Sequence, residues 1–106
     1  DISFAIAYNT SGNQLKAIQY YKSAIKRQPD KTIILYNIAR TYDIMKNYKE
    51  ALEYYERFMK TKPKDWDIDS PVGSDNEDIR KKEFYYIMAS NRIPKLKEEL
   101  FFEKGN

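Results

Sequence analysis

Apolar residues recur along the chain at the three- and four-residue intervals of one helix face. Leu35, Ile38, Ala39, Tyr42 and Met45 form one such stripe, and Ala51, Leu52, Tyr55, Phe58 and Met59 form a second. The break between them falls at Lys46 and Asn47. Asn47 is expected to cap the second helix, with Glu50, three residues on, returning the bond to complete a capping box. A similar pair of helices precedes this one, divided at Gly12 and Asn13, where glycine can take the left-handed backbone that ends a helix. Pro29 and Pro63 stop the second helix of each pair, because proline has no amide hydrogen and its ring clashes with the preceding turn. Asp30 is the expected cap of the helix that follows Pro29.

The two pairs are copies of each other. The stretch AIQYYKSAIKRQP, residues 17–29, returns as ALEYYERFMKTKP, residues 51–63, at an interval of 34 residues. In that register Ala5 matches Ala39, Tyr8 matches Tyr42, and Asn13 matches Asn47. Ala17, Tyr20, Tyr21, Lys26 and Pro29 likewise match Ala51, Tyr54, Tyr55, Lys60 and Pro63. Phe4 with Ile38, Ile18 with Leu52 and Ile25 with Met59 are conservative pairs in the same frame. A helix pair that repeats at a fixed period is the mark of a stacked architecture and not of a single compact bundle.

The second copy, ILYNIARTYDIMKNYKEALEYYERFMKTKP, resembles the tetratricopeptide repeat in its small residue, Tyr, turn, Ala, aromatic and terminal Pro at the family's spacings. The resemblance implies an all-α, right-handed solenoid of helical hairpins, with four repeat helices in residues 1–31 and 32–65 of a single domain spanning 1–106. Ala39 and Ala51 would let two helices approach closely, and Tyr42 and Tyr55 would fill the space beside them. Two departures stand out: Lys46 occupies a position where Gly is common, and Phe58 stands where the first copy has Ala24.

The resemblance also implies a function, that of a scaffold or adaptor holding a protein or peptide partner. In the family the first helix of each pair lines a concave groove. That places Ile2, Ile6 and Asn9 from copy one, and Tyr36, Asn37, Arg40, Asp43 and Ile44 from copy two, on or near it. An aromatic, a guanidinium and an amide suit an extended peptide, and Tyr36 and Arg40 are expected to contribute most. The carboxylate clamp that some members use for chaperone tails is not expected, because only Asn37 corresponds to it and Ile2 and Ile6 stand where Lys and Asn would be.

No third repeat follows. Residues 66–74 read as a polar insertion, and Ser74 with Glu77 forms another capping-box pattern that opens a terminal helix over 75–104. Ile79, Tyr86, Ala89, Ile93, Leu96 and Leu100 keep helical phase through Pro94. This predicts one long helix, kinked at Pro94, that covers the second repeat while Lys82, Glu83, Lys95 and Glu99 face water. Asp65, Asp67 and Asp69 faintly resemble a calcium loop. However, Ser70 replaces the turn glycine and Asn76 the bidentate Glu, so a solvated acidic linker is the expectation.

Composition narrows the chemistry. Of 106 residues, 42% are hydrophobic and 33% charged, enough for one small domain with a modest core. The absence of Cys and His removes thiolate nucleophiles, imidazole bases, disulfides and the usual zinc ligands. Neither a phosphate-cradling glycine loop nor a nucleophile elbow occurs, so neither an enzyme, a metal site nor a cofactor is expected. Aromatic residues at 15% lie among Lys26, Arg27, Arg80, Lys81 and Lys82, a mixture that could suit nucleic acid. Glu50, Glu53 and Glu56 interrupt any basic face, and the formal charge is only +3, so no nucleic-acid partner is expected. No apolar run reaches the ~18 residues of a membrane span. The compartment is not legible, cytoplasm being the default. The alternative function is self-assembly through the solenoid ends. Two repeats are fewer than the ~3 usually needed for stability, so Ile2, Phe4 and Ile6 are expected to leave apolar surface open to a second copy or to neighbouring repeats of a longer protein.

Overall fold

The computed structural model describes residues 12–64 and 77–105. They form four helices: α1 (Gln14–Arg27), α2 (Ile33–Ile44), α3 (Tyr48–Met59) and α4 (Glu77–Gly105). The helix expected before Gly12, the groove candidates Ile2, Ile6 and Asn9, the acidic cluster from Asp65 to Asp69 and the cap at Ser74 lie outside the described residues.

The described helices obey the 34-residue register in atomic detail. Ala17 and Ala51 are both fully buried, Tyr21 and Tyr55 are both buried, and Ala24 and Phe58 take the same inward position. The turns before these helices match as well, since Gly12 and Lys46 both adopt left-handed backbone, at φ 88 and 65. At Lys46 the amide of Asn47 reaches back to the Tyr42 carbonyl at 2.9 Å, and the Lys46 amide reaches Asp43 at 3.0 Å. This bond pair closes a helix with a left-handed residue just past its end. A side chain in that conformation is strained, and Lys46 carries the strain that glycine avoids at position 12.

The caps depart from expectation in two places. Asn13 accepts a bond from the Lys16 amide at 3.4 Å, whereas Asn47 caps α3 without a side-chain bond, so the expected box with Glu50 does not close. The cap of α2 is Thr32 and not Asp30, and it too lacks a side-chain bond. The α1–α2 turn is instead held by backbone, with the Thr32 amide on the Asp30 carbonyl at 2.9 Å.

Two apolar clusters share α2. Ala17, Tyr21 and Ala24 of α1 pack with Ile34 and Ile38 on one side of α2. On the other, Tyr36 and Ala39 join Ala51, Tyr55 and Phe58 of α3 and Tyr86, Ala89 and Leu96 of α4. α4 therefore closes the second repeat, as the predicted stripe requires. Phe58 stacks on Tyr86 with ring centroids 4.6 Å apart, which accounts for the larger residue where α1 has Ala24. α4 runs continuously through Pro94, which leaves the Ser90 carbonyl without its usual helical donor. Two residues depart from their predicted sides: Ile79 is 47% exposed, and Glu83, expected in water, is buried.

Candidate functional site

The site begins with a spacing. Tyr36 and Asp43 lie seven residues apart on α2, and Tyr85 and Arg92 lie seven apart on α4. Tyr36 stacks on Tyr85 at 4.4 Å between centroids, and Arg92 meets Asp43. Equal spacing at both contacts means that α2 and α4 run side by side in the same direction. Residues seven apart on a helix return to nearly the same face, so each helix devotes one narrow edge to the other.

Asp43 is the hub of that edge. Arg92 grips it with two bonds of 2.8 Å, Nε to Oδ2 and a terminal nitrogen to Oδ1. The Tyr55 hydroxyl donates to the same Oδ2 at 3.0 Å, bringing in α3. A planar guanidinium matches a carboxylate in this two-pronged way, which fixes geometry as well as charge. The Asp43 bond holds the Arg92 proton more tightly than usual. Burial, then the Asp43 charge and its hydrogen bond, push the Tyr55 phenol well above the ordinary tyrosine range. Three helices thus meet on one carboxylate whose side chain is only 14% exposed.

The sequence-predicted groove residues divide accordingly. Tyr36 is 4% exposed and packs against Tyr55, Phe58 and Tyr85. Burial raises its phenol pKa, while the adjacent Arg40 guanidinium works the other way. Tyr36 and Asp43 are therefore engaged within the fold. Asn37, whose carbonyl accepts from the buried Thr41 hydroxyl at 2.8 Å, is half-buried, and Arg40 is exposed. Ile44, one turn beyond Arg40, is 51% exposed. Asn37, Arg40 and Ile44 fall on one side of α2, next to the edge that α4 occupies.

Sequence reasoning missed the contribution of α4. Ile33 shares a cleft with Asp30, Lys31, Asp78, Lys81 and Lys82, and Met88 is exposed on the same helix. The signal was available: Lys81, Met88 and Lys95 sit seven residues apart, off the Tyr86, Ala89 and Leu96 stripe. That line identifies a second face on α4 but not the helix beside which it would lie.

A model of the tetratricopeptide repeat family matches residues 3–31 and 33–65. The chain belongs to this family. The second tetratricopeptide repeat coincides with the α2–α3 hairpin and the first takes in α1, and the described residues are helical without strands, as a helical-hairpin solenoid requires. Repeats of this family are generally protein–protein interaction modules and are typically non-catalytic. Neither a curated protein nor a solved structure matched the chain. Among the described residues of this tetratricopeptide unit, no helix is long and apolar enough to cross a membrane.

Proposed function

We propose that the chain is an adaptor that holds a segment of a partner protein against the open face of α2, with Arg40 and Ile44 as the principal contacts and Asn37 beside them. The observation that carries this reading is the division of labour on α2. Tyr36 and Asp43 are tied into α4 and α3, so the helix is held rigidly while Arg40 and Ile44, one turn apart, stay exposed. A guanidinium next to an aliphatic side chain on a preorganised helix suits a peptide that offers a carboxylate or carbonyl beside an apolar residue. By the family resemblance, Ile2, Ile6 and Asn9 extend this face toward the N-terminus.

The test is a random-peptide phage library selected against the chain, followed by affinity measurement on the enriched peptides. Arg40→Ala and Ile44→Ser are each expected to weaken binding about 10-fold or more. Lys49→Ala, an exposed residue of α3, serves as the control. Tyr36→Ala is unsuitable, because losing a buried aromatic costs about 3–5 kcal/mol of stability. Peptides that bind equally well to wild type, Arg40→Ala and Ile44→Ser would exclude this face as the site.

A further inference from the structure

α2 and α4 run side by side, and each has a flank that α3 does not cover. Around α2, the edge formed by Tyr36 and Asp43 lies between Ala39, which packs with α3, and Arg40 and Ile44, about 50–90° further round. Around α4, the edge formed by Tyr85 and Arg92 lies between Ala89 and Leu96, which pack with α3, and Lys81, Met88 and Lys95, about 30–70° round in the opposite sense. With α3 on one side of the contact, both remaining flanks open on the other side, as the two walls of a single groove. One end of it is the cleft where Ile33 of α2 meets Lys81 and Lys82 of α4. Arg40, Ile44, Lys81, Met88 and Lys95 are all exposed.

The groove between its two mouths carries charge of one sign. On α2 the exposed charge is Arg40, because the enclosed Asp43 is bonded to Arg92. From Arg80 to Lys97 the exposed charges of α4 are basic, and the one carboxylate in that span, Glu83, is buried. Acids appear at the mouths. Asp30 and Asp78 stand with Lys31 at the first. Glu98 and Glu99 lie beyond the end of α2, since Asp43 opposite Arg92 makes Ile44 level with Ile93. Tyr36 and Tyr85 are stacked on each other, so those ring faces are not free for the bases of a nucleic acid.

Resting on the adaptor reading above, we propose that the partner segment is acidic and lies along the groove between α2 and α4, with an apolar residue against Met88 and Ile44 and carboxylates on Arg40, Lys81 and Lys95. Lys81, Met88 and Lys95 are seven residues apart, about 10 Å per interval, which an extended peptide spans in about three residues. The segment therefore carries Asp or Glu about three positions before and after its apolar residue. Ion pairs on exposed lysines are individually weak, so this charge supplies selectivity and association rate more than tight binding.

Fluorescence anisotropy with three labelled probes tests the assignment. The probes are a decapeptide with Leu flanked by Glu at those positions, the same peptide with Lys for Glu, and a single-stranded oligothymidine of equal length. The acidic peptide is expected to bind about 10-fold or more tighter than the other two, and to weaken steeply as salt rises from about 50 to 500 mM. Lys81→Glu and Lys95→Glu are each expected to raise its Kd about 5-fold or more with unchanged helical circular dichroism, since both positions are exposed, while Lys49→Glu on α3 leaves it unchanged. Three results overturn the proposal: equal or tighter binding of the lysine peptide or the oligonucleotide, no saturation by the acidic peptide below about 1 mM, or a Kd indifferent to both Lys81→Glu and Lys95→Glu. The phage library separates this failure from failure of the adaptor reading. Enriched peptides that need Arg40 and Ile44 but carry no excess of Asp and Glu would refute the acidic groove and keep the α2 face. Enriched peptides indifferent to Arg40 and Ile44 would refute both.

Discussion

Replacing Arg92 by Ala removes both bonds to Asp43 and leaves that carboxylate with the Tyr55 hydroxyl as its remaining described partner. Two limits bracket the cost. An exposed ion pair is worth about 0–1 kcal/mol, and stranding one member of a fully buried pair costs about 3–5 kcal/mol. The side chains here are 35% exposed for Arg92 and 14% for Asp43, so solvent screens the arginine appreciably and the aspartate little. A loss of about 2 kcal/mol is expected, which for a domain of this size lowers the Tm by roughly 10 °C. The stranded charge accounts for much of that loss, so the double variant Asp43→Ala, Arg92→Ala should lose less than the sum of the two single variants. Their coupling energy, from denaturant unfolding of all four proteins, should be about 1 kcal/mol or more. It should also survive added salt better than an exposed pair such as Lys97 with Glu56, which are 3.8 Å apart. A coupling below about 0.5 kcal/mol, or one abolished by moderate salt, would refute the view that this pair clamps α4 to α2.

Two further outcomes follow from the backbone and the buried phenols. Lys46→Gly should stabilise the fold by about 0.5–1 kcal/mol by relieving a left-handed side-chain residue, whereas Gly12→Ala should cost about 1 kcal/mol. A Cβ at Gly12 meets nothing within 4 Å, so the cost there is conformational, and chemical denaturation of both variants checks the opposite signs. The phenols of Tyr21, Tyr36 and Tyr55 are all raised, by burial first, so the folded state favours their neutral form. That contribution is complete below the unfolded value near pH 10 and is lost as pH rises through the higher folded values. In an alkaline titration these three tyrosines should ionise together with loss of helical circular dichroism. Ionisation of all ten tyrosines near pH 10 with the helices intact would contradict it.

Sequence alone settled the features that local periodicity and repetition control. The 34-residue register placed Ala17 with Ala51 and Tyr21 with Tyr55, and all four are buried as matched pairs. Gly12 marked its turn, Pro29 and Pro63 followed their helices, and the terminal stripe remained one helix through Pro94. Such features depend on neighbours three or four residues away, or on backbone preferences of a single residue, which a linear string records directly. The left-handed turn at Lys46 was visible through its partner Gly12 in the register and through the family's use of Gly at that position, since nothing in a lysine announces that conformation.

Tertiary packing decided which polar and aromatic residues remain available. Tyr36 and Arg40 are four residues apart on one helix and looked equally suited to a partner. Yet α4 arrives beside Tyr36 and not over Arg40, so one side chain is enclosed and the other left in water. Asp43 likewise acquired its role from Arg92, 49 residues away in sequence. Glu83 is buried where helical phase alone put it at the surface, and Phe101 and Phe102 are exposed although their apolar character suggests a core. In each case the outcome depends on where a second helix lies and how far it extends. α3 has 12 residues and α4 has 29, so the end of α4 is left with little to pack against. Helical phase specifies the faces of each helix, but only the relative placement of the helices determines which of those faces meet one another and which meet water.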